Sequence, residues 1–375
     1  MNEMKKIGVI TMHRVQNFGS VLQAYALSEK LNRLGADCEI IDYQYPNAFH
    51  LSSVSTVKRS FDIGFFIKRI KYFILYRNSL QKRRFSDFLN STLKTSRYYP
   101  TRQSLKEYPP MYDVYITGSD QVWNPYCMKG DDTFLLGFIN DKVKTSYASS
   151  FSVKQIPTSY FDVFKNCLSQ YQQIGVRESS SVRIIEELTG KRAVTVCDPT
   201  LLLRKDDYRQ LALQSQIKIR HKYILVYALS YAYNPNPQLG IIVDRVKKEL
   251  NLPVVYLHSN DIEGYHCGAS ITSAGPKEFL SLFMDAEFII TSSFHGTSFS
   301  LIFEKPFIAI TPGAKTDDDR IGSLLRRLSI EQQAISVDQV LPSELPLRLK
   351  YDEITPRLEL FRQESEAFLI EVLSK

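Results

Sequence analysis

Short, β-branched apolar runs alternate with helix-length amphipathic segments along almost the whole chain. A chain with that rhythm has few ways to bury itself. Repeated strand–helix–strand units build a mostly parallel sheet with helices on both faces. The spacing predicts strands at residues 6–12, 38–43, 113–117, 144–148, 173–176 and 193–197. Helices are expected at 21–34, stopped by Gly35, and at 179–189, stopped by Gly190. A second series begins after the polar stretch 204–222, with strands at 223–229, 254–257, 288–291 and 307–310. Its helices are expected at 239–250, 276–284, 295–303 and 320–328. At 375 residues the chain exceeds one ordinary core. The economical division lies near 205–220, giving an N-terminal α/β lobe (1–210) and a C-terminal α/β lobe (211–345) with a cleft between them. A last helix within 346–375, near 352–373, is expected to pack back on the first lobe.

Composition narrows the setting. Hydrophobic residues at 44% and charged residues at 23% suit a soluble globular protein. Five cysteines without a CxxC pair argue against a disulfide framework or zinc site. The strand-like Ile7-Gly-Val-Ile10 is too short for a secretion signal, and no run of 18 apolar residues occurs, so a cytoplasmic location is expected. The net charge of +7 is concentrated between residues 57 and 84, where nine Lys/Arg face the single acid Asp62. A basic face spread over a domain is missing, which makes nucleic acid an unsuitable partner.

Ligands of open parallel sheets bind beyond the carboxyl ends of the strands, so the loops there are the candidates. In the first, His13 to Ser20, the compact polar residues Asn17, Gly19 and Ser20 sit where a helix N-terminus offers backbone N–H groups to an anion or a sugar hydroxyl. A turn glycine and a capping serine are the structural alternative. The second, Ile116 to Asn124, sets the lone tryptophan, Trp123, beside Asp120 and Gln121, as in a sugar-contacting surface; core filling is the alternative for Trp123. The third is Thr291-Ser-Ser-Phe-His-Gly-Thr-Ser298. His295 stands at a strand's carboxyl end and a helix start, beside Ser293 and a Gly296 that leaves the backbone open to a donor. Its reference pKa of about 6.5 suits proton transfer near neutrality. Arg177 and Lys315 also follow strands and could grip carboxylate or phosphate, or simply face solvent. Arg320 opens the next helix and could pair with Asp317–Asp319. The sequence carries no GxxxxGK[ST], GxGxxG or HExxH motif and no clustered acids, so a cationic site without a metal or cofactor is expected.

These pieces resemble the polysaccharide pyruvyl transferases over nearly the whole length. The resemblance rests on Asn17-Phe-Gly-Ser-Val-Leu-Gln-Ala-Tyr-Ala-Leu27, Thr117-Gly-Ser-Asp-Gln-Val-Trp-Asn124 and Ser146-Tyr-Ala-Ser149. Val176-Arg-Glu178, Asp198-Pro-Thr-Leu-Leu202 and Ile289-Ile-Thr-Ser-Ser-Phe-His-Gly296 complete it. It implies a two-lobed, GT-B-like fold and transfer of a pyruvyl group from phosphoenolpyruvate to two sugar hydroxyls as a cyclic ketal. It also implies donor roles for Arg177, His295 and, by a loose match, Lys315. Some relatives carry an arginine just before the histidine, where this chain has Ser293 and Phe294.

Between Phe61 and Tyr76, Ile63, Phe66, Ile67, Ile70, Phe73 and Ile74 fall on one helical face among Lys68, Arg69 and Lys71. Such a helix suits an anionic membrane surface, where lipid-linked oligosaccharide acceptors reside, or packs against the first lobe with a solvated rim. Two other functional readings stay open: a nucleotide-sugar glycosyltransferase of GT-B type, and a non-catalytic glycan-binding or membrane-associated protein of the same fold.

Overall fold

The computed structural model describes residues 4–45, 80–128, 130–230, 233–257, 269–313 and 318–374. Six strands form the first sheet: β1 (Lys6–Ile10), β2 (Asp37–Ile40), β3 (Val114–Thr117), β4 (Val143–Ser149), β5 (Gln173–Val176) and β6 (Val194–Thr195). The second contains β7 (Ile224–Tyr227), β8 (Val254–Leu257), β9 (Ala269–Ile271), β10 (Phe288–Thr291), β11 (Phe307–Thr311) and β12 (Ala334–Ser336). The orders are β2-β1-β3-β4-β5-β6 and β12-β11-β10-β7-β8-β9, and every pairing is parallel. The expected pair of doubly wound, Rossmann-like lobes is present. Apolar runs such as Val114–Thr117 and Phe288–Thr291 are buried along their whole length, as strands covered by helices on both faces must be.

Each sheet reverses direction once, between β1 and β3 and between β7 and β10. Crevices open at such reversals. The segments after β1, β3 and β10 leave from these two points: Asp120 lies in the loop after β3, and Ser20 and His295 in the first turns of the helices that follow β1 and β10.

Where sequence spacing and structure differ, the reasons are local. The first helix runs Phe18–Arg33, a turn earlier than expected, because the Asn17 side chain accepts from Ser20 N at 3.2 Å and caps it. The polar stretch expected to separate the lobes contains a helix, Lys205–Ala212, which buries Tyr208, Leu211 and Ala212 and packs against the helix Pro276–Asp285. The three-residue edge strands β9 and β12 are too short to show a period.

The lobes share one core. Phe18, from the first lobe, stacks on Phe279 of the second with ring centroids 4.8 Å apart, and meets Tyr227 edge-on. Phe279 in turn contacts Phe283 and Phe299. Arg84 adds a polar clasp, donating to Ser273 O at 2.8 Å and Gln216 Oε1 at 3.1 Å. The C-terminal helix, Tyr351–Ser374, touches both lobes: Ser365 Oγ accepts from Cys197 N and Arg362 Nε donates to Leu201 O in the first, while Tyr351 Oη donates to Lys305 O and Arg357 Nη1 to Leu328 O in the second.

This seam predicts coupled unfolding. Phe279→Ala should cost about 3–5 kcal/mol. It should lower the denaturation midpoint seen by fluorescence of Trp123, which lies in the other lobe. An unmoved fluorescence transition beside a shifted circular-dichroism transition would show the lobes to be independent.

Candidate active site

The site begins with a carboxylate. Asp198 follows β6, and its Oδ1 accepts from Thr200 N at 3.0 Å and Thr200 Oγ1 at 2.7 Å, capping the short turn Pro199–Leu202. Its Oδ2 accepts from Ser119 Oγ at 2.9 Å and Arg177 Nη1 at 3.1 Å. His295 Nε2, from the opposite lobe, stands 3.5 Å from the same oxygen without forming a hydrogen bond. Burial works to raise the Asp198 pKa. The His295 ring, the Arg177 guanidinium and the Thr200 hydroxyl outweigh it and hold the carboxyl well below the usual range.

A second carboxylate faces the first across Arg177. Asp120 follows β3, with Oδ1 accepting from Gln121 N at 2.9 Å and lying 3.9 Å from Arg177 Nη2. Ser20 Oγ donates to its Oδ2. The residue adopts φ 85°, a backbone region that non-glycine residues rarely occupy and that clusters at functional sites. Asp120 is also held below its ordinary pKa: burial opposes, and Arg177, His295 and the Ser20 hydroxyl prevail. It is therefore a fixed negative charge and a weak base.

His295 lies in the first turn of the helix Phe294–Ile302, which Ser293 caps. Its ring rests on the backbone of the other lobe: a Cβ added at Gly19 would stand 2.0 Å from Nδ1. Arg177 lies with its guanidinium carbon 4.6 Å from the centroid of the Phe294 ring, a cation–π contact. Two groups of the buried Arg177 guanidinium, Nε and Nη2, make no hydrogen bond, while His295 Nε2 stays 3.5 Å from the Asp198 carboxylate; unmet donors on a buried cation suit an anion.

The structure thus brings Gly19, Ser20, Asp120, Arg177 and His295 together, and separates other candidates from them. Trp123 is fully buried, donating Nε1–H to Phe134 O at 3.0 Å and packing on Phe151 and Tyr171. It is a core residue and offers no platform to a sugar. Gly296 does not open the backbone to a donor: a Cβ there would meet Thr291 Oγ1 at 2.1 Å, so the glycine lets the helix start close to β10. Ser293 Oγ accepts from Gly296 N at 3.3 Å and is likewise engaged in the turn. Asn17 is the helix cap already described. Gln121 reaches across the lobes, its side-chain oxygen turned to accept from both Nη1 and Nη2 of Arg320 at 2.9 Å. Arg320 also pairs with Asp318, as its position near the acids suggested. Lys315 and residues 57–79 of the basic segment lie outside the described residues. The end of that segment is occupied internally through Arg84.

Two features escaped the sequence reading. Asp198 stands in the sequence only within the motif Asp198-Pro-Thr-Leu-Leu202, with no role attached; its meeting with Arg177 and His295 is visible only in three dimensions. The second is a cluster after β1, in which Asp42 Oδ1 lies 3.0 Å from His13 Nε2 and Asp42 Oδ2 accepts from Arg14 Nη2 at 2.6 Å. The His13-Arg14 pair was visible in the sequence, but its acid lies 28 residues past the arginine.

The family model described as polysaccharide pyruvyl transferase matches residues 17–313. No curated protein matches the chain significantly. Among solved structures it is similar to the glycotransferase of kitacinnamycin, at 12% identity and TM-score 0.48, over 99% of this chain and 98% of that one. It is also similar to UDP-N-acetylglucosamine 2-epimerase from Rickettsia bellii, at 10% identity and TM-score 0.46, over 98% and 97%. A third is UDP-GlcNAc 2-epimerase from Methanocaldococcus jannaschii, at 11% and 0.47, over 95% and 92%. Likeness at this level carries no functional weight.

Removing Asp198 should destabilise the protein, because Arg177 is left buried without its partner. Asp198→Asn is expected to lower the unfolding free energy at pH 7 by about 3–5 kcal/mol. A depressed carboxyl contributes stability above the unfolded value, about 3.9, and loses it as pH falls toward the folded value. The gap between variant and wild type should therefore narrow below pH of about 4. Urea titrations across that range measure it, and a gap constant with pH contradicts the assignment.

Proposed function

The chain belongs to the polysaccharide pyruvyl transferase family, and from that premise we propose that it moves a pyruvyl group from phosphoenolpyruvate to two hydroxyls of one sugar, closing a cyclic ketal. The acceptor is a glycan, either a polysaccharide or a lipid-linked oligosaccharide. The supporting observation is the buried Arg177 guanidinium, with Nε and Nη2 unmet, beside His295 at the meeting of the two lobes. Phosphoenolpyruvate carries a carboxylate and a phosphate, the two anions that a guanidinium binds best. Lys315 is the further donor cation that the family resemblance implies.

Protonated His295 gives its proton to the methylene carbon, whose π electrons form the new C–H bond and leave the adjacent carbon electrophilic. The first sugar hydroxyl attacks that carbon, and its proton restores the imidazolium. The carbon–oxygen bond to phosphate then breaks, the electron pair leaving with the phosphate beside the fixed Arg177 charge. The second hydroxyl closes the ketal, and its proton departs on the phosphate. Charges and atoms balance without a cofactor. Asp120, already stabilised as an anion, is a poor choice of base. Its suited role is to hold Ser20 and Arg177 in place at the acceptor side, with Gln121 beside it.

No helix among the described residues is long and apolar enough to cross a membrane. A lipid-linked acceptor would bring the enzyme to the membrane's inner face, and the basic segment 57–84 is the part of the sequence suited to such a surface.

Phosphate release from phosphoenolpyruvate, measured across a panel of lipid-linked glycans, tests the proposal. His295→Ala should cost about 10²–10⁴-fold in turnover, the usual share of general acid catalysis. Arg177→Ala should cost at least as much, and Arg177→Lys should not restore it. Undiminished turnover in the histidine and arginine variants contradicts the mechanism. Thermal protection by nucleoside diphosphates, with none by phosphoenolpyruvate, favours a nucleotide-sugar enzyme.

A further inference from the structure

The edge of the first sheet carries a cavity of about 510 Å³ whose lining includes neither His295 nor Arg177. That volume falls within the range of small-molecule sites, about 300–1,000 Å³. β2 is the edge strand, and the segment 94–99 runs parallel along it, bridging Ile40 to Thr95 and Tyr43 to Tyr99. The groove is lined by Arg97, Tyr99, Tyr108 and Met111, with the buried Tyr112 and with Glu39.

Arg97 is its fixed point. The residue is exposed, yet its guanidinium carbon lies 4.9 Å from the Tyr99 ring centroid and 5.2 Å from that of Tyr108. Its Nη2 donates to Tyr108 O at 2.8 Å. Two cation–π contacts and a hydrogen bond hold a side chain that would otherwise sample many rotamers. Among the described residues no carboxylate pairs with it. Glu39, the acid of the groove, is engaged by Lys94 Nζ at 3.3 Å and by the Tyr112 hydroxyl at 2.8 Å. Arg97 therefore keeps Nε and Nη1 for a ligand, and its planar fork fits the paired oxygens of a carboxylate or phosphate. Beside it, Tyr108 is 63% exposed and Met111 70% exposed. A pre-set cation next to open aromatic and apolar surface suits a sugar ring that bears an acidic group.

The groove lies on the lobe that carries Ser20 and Asp120. In the order β2-β1-β3, the segment 94–99 stands three places from β3, about 14 Å at ordinary strand spacing. On the same segment, the Tyr98 ring centroid lies 4.8 Å from the guanidinium carbon of Arg14, which follows β1. That separation exceeds one sugar ring. The groove is too far to hold the sugar that reacts, and close enough for another sugar of the same chain.

We propose that this edge groove is a remote subsite for the acceptor chain, selecting glycans whose sugars carry a carboxylate or phosphate, with Arg97 as the residue that reads the charge. The inference rests on the glycan acceptor of the reading above.

Calorimetric titration of the full-length protein with a short oligogalacturonate and a phosphodiester-linked oligomannose, beside neutral dextran oligomers, tests it. Wild type should bind at least one acidic probe at least tenfold more tightly than dextran, about 1.4 kcal/mol. The tighter of the two identifies carboxylate or phosphate as the group recognised. Arg97→Gln should abolish that preference, and Arg97→Lys should recover only part of it, because the fork is lost. Tyr108→Ala should weaken the acidic probe severalfold. Both positions are exposed, so melting midpoints and phosphoenolpyruvate affinity should stay at wild-type values. Arg183→Gln, an exposed arginine elsewhere on this lobe, should change nothing. Equal acidic-probe binding by wild type and Arg97→Gln overturns the subsite. So does equal weakening by Arg183→Gln, or no binding of either acidic probe by wild type; phosphate release from phosphoenolpyruvate would then still support the transfer reading. Acidic-probe binding that depends on Arg97, without any binding of phosphoenolpyruvate, upholds the glycan groove and contradicts the transfer reading alone.

Discussion

The site depends on the carboxylate of Asp198. One buried oxygen collects Ser119 and Arg177 from its own lobe and faces His295 from the other. Without that negative charge the buried Arg177 guanidinium would keep only Asp120, 3.9 Å away, as a carboxylate neighbour. With it, Arg177 and His295 are held near one point in the orientation an anionic substrate needs. The cost is left in the unmet N–H groups of Arg177, which a bound anion would repay.

Holding His295 in place takes the whole fold. Its helix starts close to β10 because Gly296 has no side chain to strike Thr291, and its ring rests on Gly19 of the other lobe. The aromatic seam of Phe18, Tyr227 and Phe279 fixes the lobes at the distance where this contact fits. Phe294 precedes His295 in the same helix turn. Its ring backs the Arg177 guanidinium, so the cation is supported by a π face.

Much of this was legible in the sequence, for physical reasons. Apolar runs with helical segments between them dictated two parallel sheets, and the strand ends then named the loops of Ser20, Asp120, Arg177 and His295. What stayed hidden was partnership at long range. One Asp198 oxygen caps a local turn, but the neighbours of the other, Ser119, Arg177 and His295, come from three separate segments that no local pattern connects. Trp123 looked available because polar residues surround it in the sequence, yet Phe134 O satisfies its one polar atom inside the core. Gly296 presents a similar case. Its neighbourhood suggested ligand access, whereas a turn packed against β10 takes up that space.

The central claim is that His295 delivers a proton to carbon before the sugar attacks. Running the reaction in D₂O tests it directly, by mass spectrometry of the pyruvylated glycan after back-exchange of its hydroxyls. The account predicts one deuterium in the ketal methyl group, and loss of product formation in His295→Gln. An unlabelled methyl group, or full labelling with His295 replaced, would contradict it.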